Sequence, residues 1–222
     1  MSSIYNSWTG KIMNTLHLTN TDTDLKMAAK LLLDGQIIAF PTETVFGLGI
    51  SLDLSSYEKL YTLKERPKQK ALTVHISDIK YVFQFVEKVD DRFFLLADEY
   101  LPGPLTLIMR AKKDLHLPFV SDQTIGIRLP SDLTAQKFIE DCGGAIFATS
   151  ANLSGESPCL CSNEVKEVFG GKIAAIIKEG NTECLCKAST VVSLVNDMKI
   201  LREGSITQKE IAKVLQKQKM SV

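Results

Sequence analysis

Apolar positions recur along the chain in two periods, one helical and one alternating, from end to end. Over residues 23–34, Leu25, Ala28, Ala29 and Leu32 fall at helical spacing, and Gly35 stands where a glycine would stop the helix. The apolar run over residues 36–40, closed by Pro41, predicts a buried strand. Ser55-Ser56-Tyr57-Glu58 has the form of a capping box and predicts a helix through about Lys64. Residues 90–100 predict a helix halted by Leu101-Pro102-Gly103-Pro104, and residues 133–140 and 163–169 predict two more. Strands are predicted at residues 72–76, 105–110, 125–129, 145–148, 174–177 and 191–195. Asn196-Asp197, followed by the run 198–201, makes the last of these one arm of a hairpin. Thr207-Gln208-Lys209-Glu210 is a second capping box and predicts a closing helix.

Helix and strand mixed throughout, with no repeat, low-complexity tract or long linker, predict a single α/β domain around one large sheet. The hairpin makes part of that sheet antiparallel, so a mixed sheet is expected rather than a purely parallel one. The domain is expected over residues 21–218, with residues 1–20 as a poorly ordered N-terminal extension. The 222 residues are 45% hydrophobic and 23% charged, which supports a real core and excludes disorder, collagen or coiled coil as a description of the whole. Lys and Arg number 26 against 26 Asp and Glu, which excludes a bulk electrostatic grip on nucleic acid but not a local basic site. The N-terminus lacks the apolar core of a signal peptide, and no run approaches the roughly 18 residues of a membrane span. Five cysteines do not read as a secreted disulfide framework, so a cytoplasmic protein with reduced thiols is expected.

Polar residues gather where the predicted strands end. Pro41-Thr42-Glu43-Thr44-Val45-Phe46-Gly47-Leu48-Gly49 leaves the first buried strand with two hydroxyls and two glycines, as a ligand loop or simply a turn. It is not a GxxxxGK[ST] phosphate loop. Lys64-Glu65-Arg66-Pro67-Lys68-Gln69-Lys70 alternates its four cations, so an extended chain would present them on one face to a triphosphate or a nucleic-acid backbone. A solvated loop is the plainer reading. In Ile125-Gly126-Ile127-Arg128-Leu129-Pro130, Arg128 lies on the opposite face from the isoleucines and needs a carboxylate, a phosphate or water. A structural salt bridge would satisfy it equally well. Ser150-Ala151-Asn152 with Ser154-Gly155, Ser189-Thr190, and Arg202-Glu203-Gly204 repeat the pattern of hydrogen-bonding groups beside strands. Cys159-Leu160-Cys161 and Cys184-Leu185-Cys186 have spacing atypical of structural zinc, which leaves metal there open. His17, His75 and His116 form no metal motif, and no Ser/His/Asp set or paired carboxylates stand out, so a buried nucleophile is not indicated.

Together these segments resemble the YrdC-like family of threonylcarbamoyl-AMP synthases. PTETVFGLG matches the family's PT[DE]TVYGLG, with Phe46 in place of tyrosine; Lys64-Glu65-Arg66 and Ser150-Ala151-Asn152 match its KxR and SxN pairs. LPGPLT, GIRLP and the late LRxG also align, and the resemblance runs over about residues 22–215. It implies a single α/β domain with a twisted mixed sheet and a concave basic cavity. It implies a nucleotidyltransferase that condenses L-threonine, bicarbonate and ATP into L-threonylcarbamoyl-AMP and pyrophosphate, for threonylcarbamoyladenosine in tRNA. By the resemblance, Lys64 and Arg66 would be catalytic, neutralising the ATP phosphates. Thr124, Asn152 and Arg202 would complete the ATP site. Thr42, His75, Arg128, Ser150 and Ser189 would form the threonine pocket, with Arg128 facing the carboxylate. Mg²⁺ would come with ATP, held by phosphate oxygens and water, and the product would pass to a tRNA threonylcarbamoyl transferase complex.

Three departures stand out: Glu156-Ser157-Pro158-Cys159-Leu160-Cys161 replaces a Ser/Thr-Pro-Thr stretch, Glu203 replaces a proline, and Ser131-Asp132 follows GIRLP. Longer relatives carry a further C-terminal domain, which this chain, ending at Val222, is expected to lack. Two alternatives stay open. One is a non-enzymatic member binding double-stranded RNA or tRNA, even weakly; the other is a paralogue that adenylates or carbamoylates another substrate.

Overall fold

A computed structural model of the chain describes residues 14–115 and 123–217. From the N-terminus run β1 (Leu16–Leu18), α1 (Asp22–Leu33), β2 (Ile38–Phe40), β3 (Gly47–Ile50), α2 (Tyr57–Leu63) and β4 (Thr73–Ile76). A short 3₁₀ turn at Ile79–Gln84 leads to α3 (Asp91–Tyr100), β5 (Leu105–Arg110), β6 (Thr124–Arg128), α4 (Leu133–Asp141) and β7 (Ala145–Ser150). The chain closes with α5 (Ser162–Phe169), β8 (Ala175–Ile177), β9 (Thr190–Ser193), β10 (Lys199–Arg202) and α6 (Gln208–Lys217).

Among the described residues, ten strands join one mixed sheet in the order β1-β8-β2-β3-β7-β4-β6-β5-β9-β10. Parallel pairing joins β1 to β8, β8 to β2, β4 to β6 and β5 to β9, and the remaining neighbours are antiparallel. The expected hairpin is β9–β10. The second capping box forms: Thr207 N donates to Glu210 Oε2 at 2.8 Å, and Glu210 N donates back to Thr207 Oγ1 at 3.4 Å.

Three expectations are corrected. The sheet begins before residue 21, since β1 pairs in register with β8; residues 1–13 lie outside the described residues. The first capping box does not form, because Ser56 Oγ donates to the Gly35 carbonyl and Ser55 N to Asp53 Oδ1, and α2 starts without a side-chain cap. The PTETVFGLG segment is not all loop, for its last residues form β3. A Cβ on Gly47 would sit 2.8 Å from the Phe40 ring, so glycine lets that ring cross the strand.

The two faces of the sheet are used differently. One carries the larger core, where α2, α3, α5 and α6 pack Leu60, Phe93, Leu96, Phe169 and Ile211 against Val74, Leu107, Ile127 and Phe147. On the opposite face α1 and α4 cover the half of the sheet from β1 to β7 and reach β4, burying Leu25, Leu32, Phe138 and Ile139 against Ile38, Phe40 and Ile146. Beyond that cover, β4, β6, β5 and β9 present a largely polar face on the same side, with Thr73, His75, Gly126, Arg128 and Thr106 beside Ile108 and Val191.

Candidate active site

A cavity of about 270 Å³ opens over this polar half. Its floor follows from strand alternation: Thr73 and His75 of β4, Gly126 and Arg128 of β6, and Thr106 and Ile108 of β5 line it, while Val74, Ile127 and Leu107 between them face the core. Thr42, Ser150, Ala188, Ser189 and Arg202 form its sides, and Arg66 stands at its mouth.

Arg128 is the best-anchored group. Its Nη2 donates to Glu43 Oε1 at 3.0 Å, to Thr44 Oγ1 at 2.6 Å and to Thr42 Oγ1 at 3.3 Å. Glu43, 4% exposed, also accepts from Ser131 N at 3.1 Å. The loop that presents these groups is closed on itself, since Thr42 Oγ1 donates to the Val45 carbonyl at 2.7 Å and accepts from Thr44 N and Val45 N. It is then stitched to the segment after β7: Ala151 N donates to Phe46 O, and Phe46 N to Cys159 O. The departure at Cys159 therefore places a buried core residue in a backbone seam.

Beside Arg128, His75 touches the edge of Phe40 at 5.9 Å, where the polar half meets the α1–α4 core. Burial, reinforced by the Arg128 charge, pushes its imidazole down to about 3, so it is neutral. Among the described residues, His75 Nδ1 and Arg128 Nε are buried without hydrogen-bond partners. Groups of that kind fit a site awaiting a polar ligand. Thr106 and Ser189 share a hydrogen bond of 3.0 Å, and Arg202 donates to Ser189 Oγ at 3.1 Å and to the Ser189 carbonyl at 3.0 Å.

Arg66 donates from Nε to the Lys70 carbonyl at 3.0 Å and from Nη2 to the Ala71 carbonyl at 2.7 Å, and its guanidinium lies 5.8 Å from the Tyr61 ring centre. These bonds hold its charge at the rim. Lys64 behaves differently. It is 1% exposed, and its Nζ donates to the carbonyls of Ser150 and Asn152 beneath the cavity wall. Burial, then the neighbouring Arg66 charge, bring it down to about 7.

Of the ten residues expected from the sequence, Thr42, Arg66, His75, Arg128, Ser150, Ser189 and Arg202 line this cavity, and Lys64, Thr124 and Asn152 do not. Asn152 sits just behind, accepting from Ser150 Oγ at 2.6 Å and donating to the Leu153 and Glu156 carbonyls. Thr124 starts β6, paired with Arg110, four residues from Arg128 and so about 13 Å along the strand. The sequence marks Thr44 only as one of the two hydroxyls of its loop and does not single out Glu43, Thr73 or Thr106; the buried counter-ion requirement of Arg128 is the signal that points to Glu43. Glu203, which stands where the family has a proline, accepts from Gln208 N at 3.0 Å at the start of α6. The late glycine has a packing cause, since a Cβ on Gly204 would lie 2.1 Å from the Ala188 carbonyl oxygen. Among the described residues no three His, Cys, Asp or Glu side chains are placed to hold a metal, and no helix is long and apolar enough to cross a membrane.

The profile of the Sua5, YciO and YrdC proteins, described as "Telomere recombination", matches residues 30–204. The chain belongs to the Sua5/YciO/YrdC family. It is 36% identical to the threonylcarbamoyl-AMP synthase of Bacillus subtilis over 205 residues, covering 90% of this chain and 59% of that protein. It is 32% identical to that of Vibrio campbellii, over 82% of this chain and 99% of the relative. Among solved Sua5/YciO/YrdC structures, Pyrococcus abyssi Sua5 in complex with L-threonine superposes with a TM-score of 0.83 at 31% identity, over 90% of this chain and 60% of that one. Escherichia coli YciO, 24% identical with a TM-score of 0.77, shares the fold over 90% of this chain and 98% of its own. The chain thus spans less than two thirds of the Bacillus protein and of P. abyssi Sua5.

Proposed function

We propose that this chain forms L-threonylcarbamoyl-AMP and pyrophosphate from L-threonine, bicarbonate and ATP, the adenylate serving threonylcarbamoyladenosine formation in tRNA. One observation carries the reading: a family fold that leaves half of one sheet face bare encloses a cavity floored by Arg128 and neutral His75, with Arg66 and Arg202 at its edge. About 270 Å³ suits an amino acid better than a whole nucleotide. Threonine would therefore occupy the enclosed part, its carboxylate toward Arg128 and its polar groups toward Thr42, His75, Ser150 and Ser189. The triphosphate would lie across the open rim between Arg66 and Arg202.

The threonine amine nitrogen bonds to the bicarbonate carbon as a C–O bond of bicarbonate breaks, and that hydroxyl leaves with an amine proton as water. The carbamate oxygen then bonds to the α-phosphorus as the bond to the bridging oxygen breaks and pyrophosphate leaves. Placing three reactants together supplies much of the rate, and fixed guanidinium groups stabilise the charge on the leaving group. No side-chain nucleophile is required. Mg²⁺ enters with ATP as part of the substrate. The role expected for Lys64 at the phosphates changes: with its Nζ turned to the Ser150 and Asn152 carbonyls, it acts by holding the wall in place, and Asn152 with it. Thr124, expected at the ATP site, lies outside the enclosed pocket, about 13 Å along β6 from Arg128. The product would pass to a tRNA threonylcarbamoyl transferase complex.

The test is pyrophosphate release from ATP and Mg²⁺ with labelled threonine and bicarbonate. Release should require both threonine and bicarbonate, and Arg66→Ala should abolish it while circular dichroism stays unchanged. Release without threonine would refute the substrate. A steep salt-dependent retention of RNA on filters, with no ATP-dependent chemistry, would favour the RNA-binding alternative.

A further inference from the structure

The loop that clasps Arg128 is held from behind by the Leu185 amide and the Cys184 thiol. In the connection from β8 to β9, Leu185 N donates to the Glu43 carbonyl at 2.7 Å, and Cys184 Sγ donates to the Thr44 carbonyl at 3.2 Å. Glu43 and Thr44 are the residues whose side chains hold Arg128 from the other side. Four residues beyond Cys184 the same connection reaches Ala188 and Ser189, which line the cavity.

Within this turn Cys186 Sγ lies 3.4 Å from Cys184 Sγ, and Cys186 N donates to Cys184 Sγ at 3.2 Å. Cys186 has a φ of 51°, in the left-handed region that a non-glycine residue enters only when its surroundings hold it there. That curl brings two side chains at i and i+2 face to face. Cys186 is exposed and Cys184 half-buried. Burial holds the Cys184 thiol above its ordinary range, so the exposed sulfur meets an oxidant first.

We propose that Cys184 and Cys186 are a redox-modification site, a reversible intramolecular disulfide whose closure releases the backbone of residues 43–44 and loosens the clasp on Arg128. The oxidant is a small disulfide. The Cys186 thiolate attacks one of its sulfurs and expels a thiolate, giving a mixed disulfide. The Cys184 thiolate then attacks Cys186 Sγ and expels the second thiolate. Two protein thiols lose two electrons and two protons, and the reagent ends as two thiols. Bonded sulfurs stand about 2.05 Å apart, so the pair must draw together. Cys184 also loses the S–H that it donates to the Thr44 carbonyl.

The test treats the full chain with glutathione disulfide. The tryptic peptide of residues 179–187 contains both sulfurs and no other cysteine. It should lose two hydrogens, resist iodoacetamide and revert with dithiothreitol. Amide exchange across residues 41–47 should then quicken roughly threefold or more, as expected when a local opening is eased. Cys186→Ser should block the closure and leave exchange unchanged after treatment. A stable glutathione adduct on Cys186 with Cys184 still alkylatable would overturn the site, as would cross-linking to Cys159 or Cys161. A closed disulfide with unaltered exchange across residues 41–47 would overturn its link to the clasp. Neither readout needs a ligand, so both stand apart from the proposed activity.

Discussion

Glu43→Ala strands a buried cation. Arg128 Nη2 would keep Thr44 Oγ1 at 2.6 Å and Thr42 Oγ1 at 3.3 Å but lose its counter-ion at 3.0 Å, and Ser131 N would lose its acceptor. The two charged side chains are 7% and 5% exposed, so bulk water does not take the place of the carboxylate. Removing one partner of a buried pair costs about 3–5 kcal/mol, and the two remaining hydroxyls with the adjoining cavity reduce this to about 2–4 kcal/mol. For a chain of this length that is a fall in melting temperature of roughly 5–15 °C. Glu43→Gln, which still accepts from Ser131 N, should recover part of the loss. Urea unfolding followed by circular dichroism would measure these values, with Arg128→Met and the double variant closing the cycle. The double variant buries no lone charge, so its cost should fall short of the sum of the singles by about 1–3 kcal/mol. A Glu43→Ala cost below about 1 kcal/mol, or strict additivity, would refute the view that this pair organises the floor.

Three further outcomes follow from the geometry. Lys64 titrates near 7 when folded and 10.5 otherwise, so between those values unfolding takes up a proton and stability rises with pH. The unfolding free energy of wild type minus that of Lys64→Met should rise from pH 7.5 to 9.5 by up to about 1.4 kcal/mol per unit, and a flat difference would contradict a neutral folded amine. Gly126→Leu would add a side chain to the cavity floor, where a Cβ has 3.4 Å clearance from Thr106; threonine binding by calorimetry should vanish with the melting curve little changed. Gly204→Ala must displace the Ala188 and Ser189 backbone and should lower both melting temperature and threonine affinity, whereas retention of both would show that β10 can shift freely.

Much of the fold was legible because the helices carry their apolar faces at fixed spacing, as α1 and α3 do within a residue of expectation. What escaped has physical reasons. β3, Gly-Leu-Gly-Ile, is a poor strand former by propensity and exists because Phe40 packs through its glycines. The α2 cap failed because Ser56 found a partner 21 residues away, which local pattern does not encode. In the site, residues at strand ends were found, while Thr73 and Thr106 were missed. A threonine alternating with apolar residues reads as an ordinary half-exposed strand, and only the placement of α1 and α4 over the other half turns it into a cavity floor. Lys64 was recognised as important but assigned outward, since its sequence neighbours Glu65, Arg66 and Lys68 are solvent-facing and nothing local announces a buried amine.

The strand order carries a consequence for how the molecule is made. β8 is inserted between β1 and β2, and β9 pairs with β5, so the sheet joins residues more than 80 positions apart at both flanks. Such distant pairings form late and slowly. On a chain emerging from the ribosome, the floor of the cavity is synthesised by Arg128, but Ser189, Val191 and Arg202 of its wall come some 60 residues or more later. Until then Arg128 and the bare half of the sheet have no far wall. The cavity is complete only once β9 and β10 have been made, and a nascent chain arrested before β9 would carry α1 to α5 without its pocket.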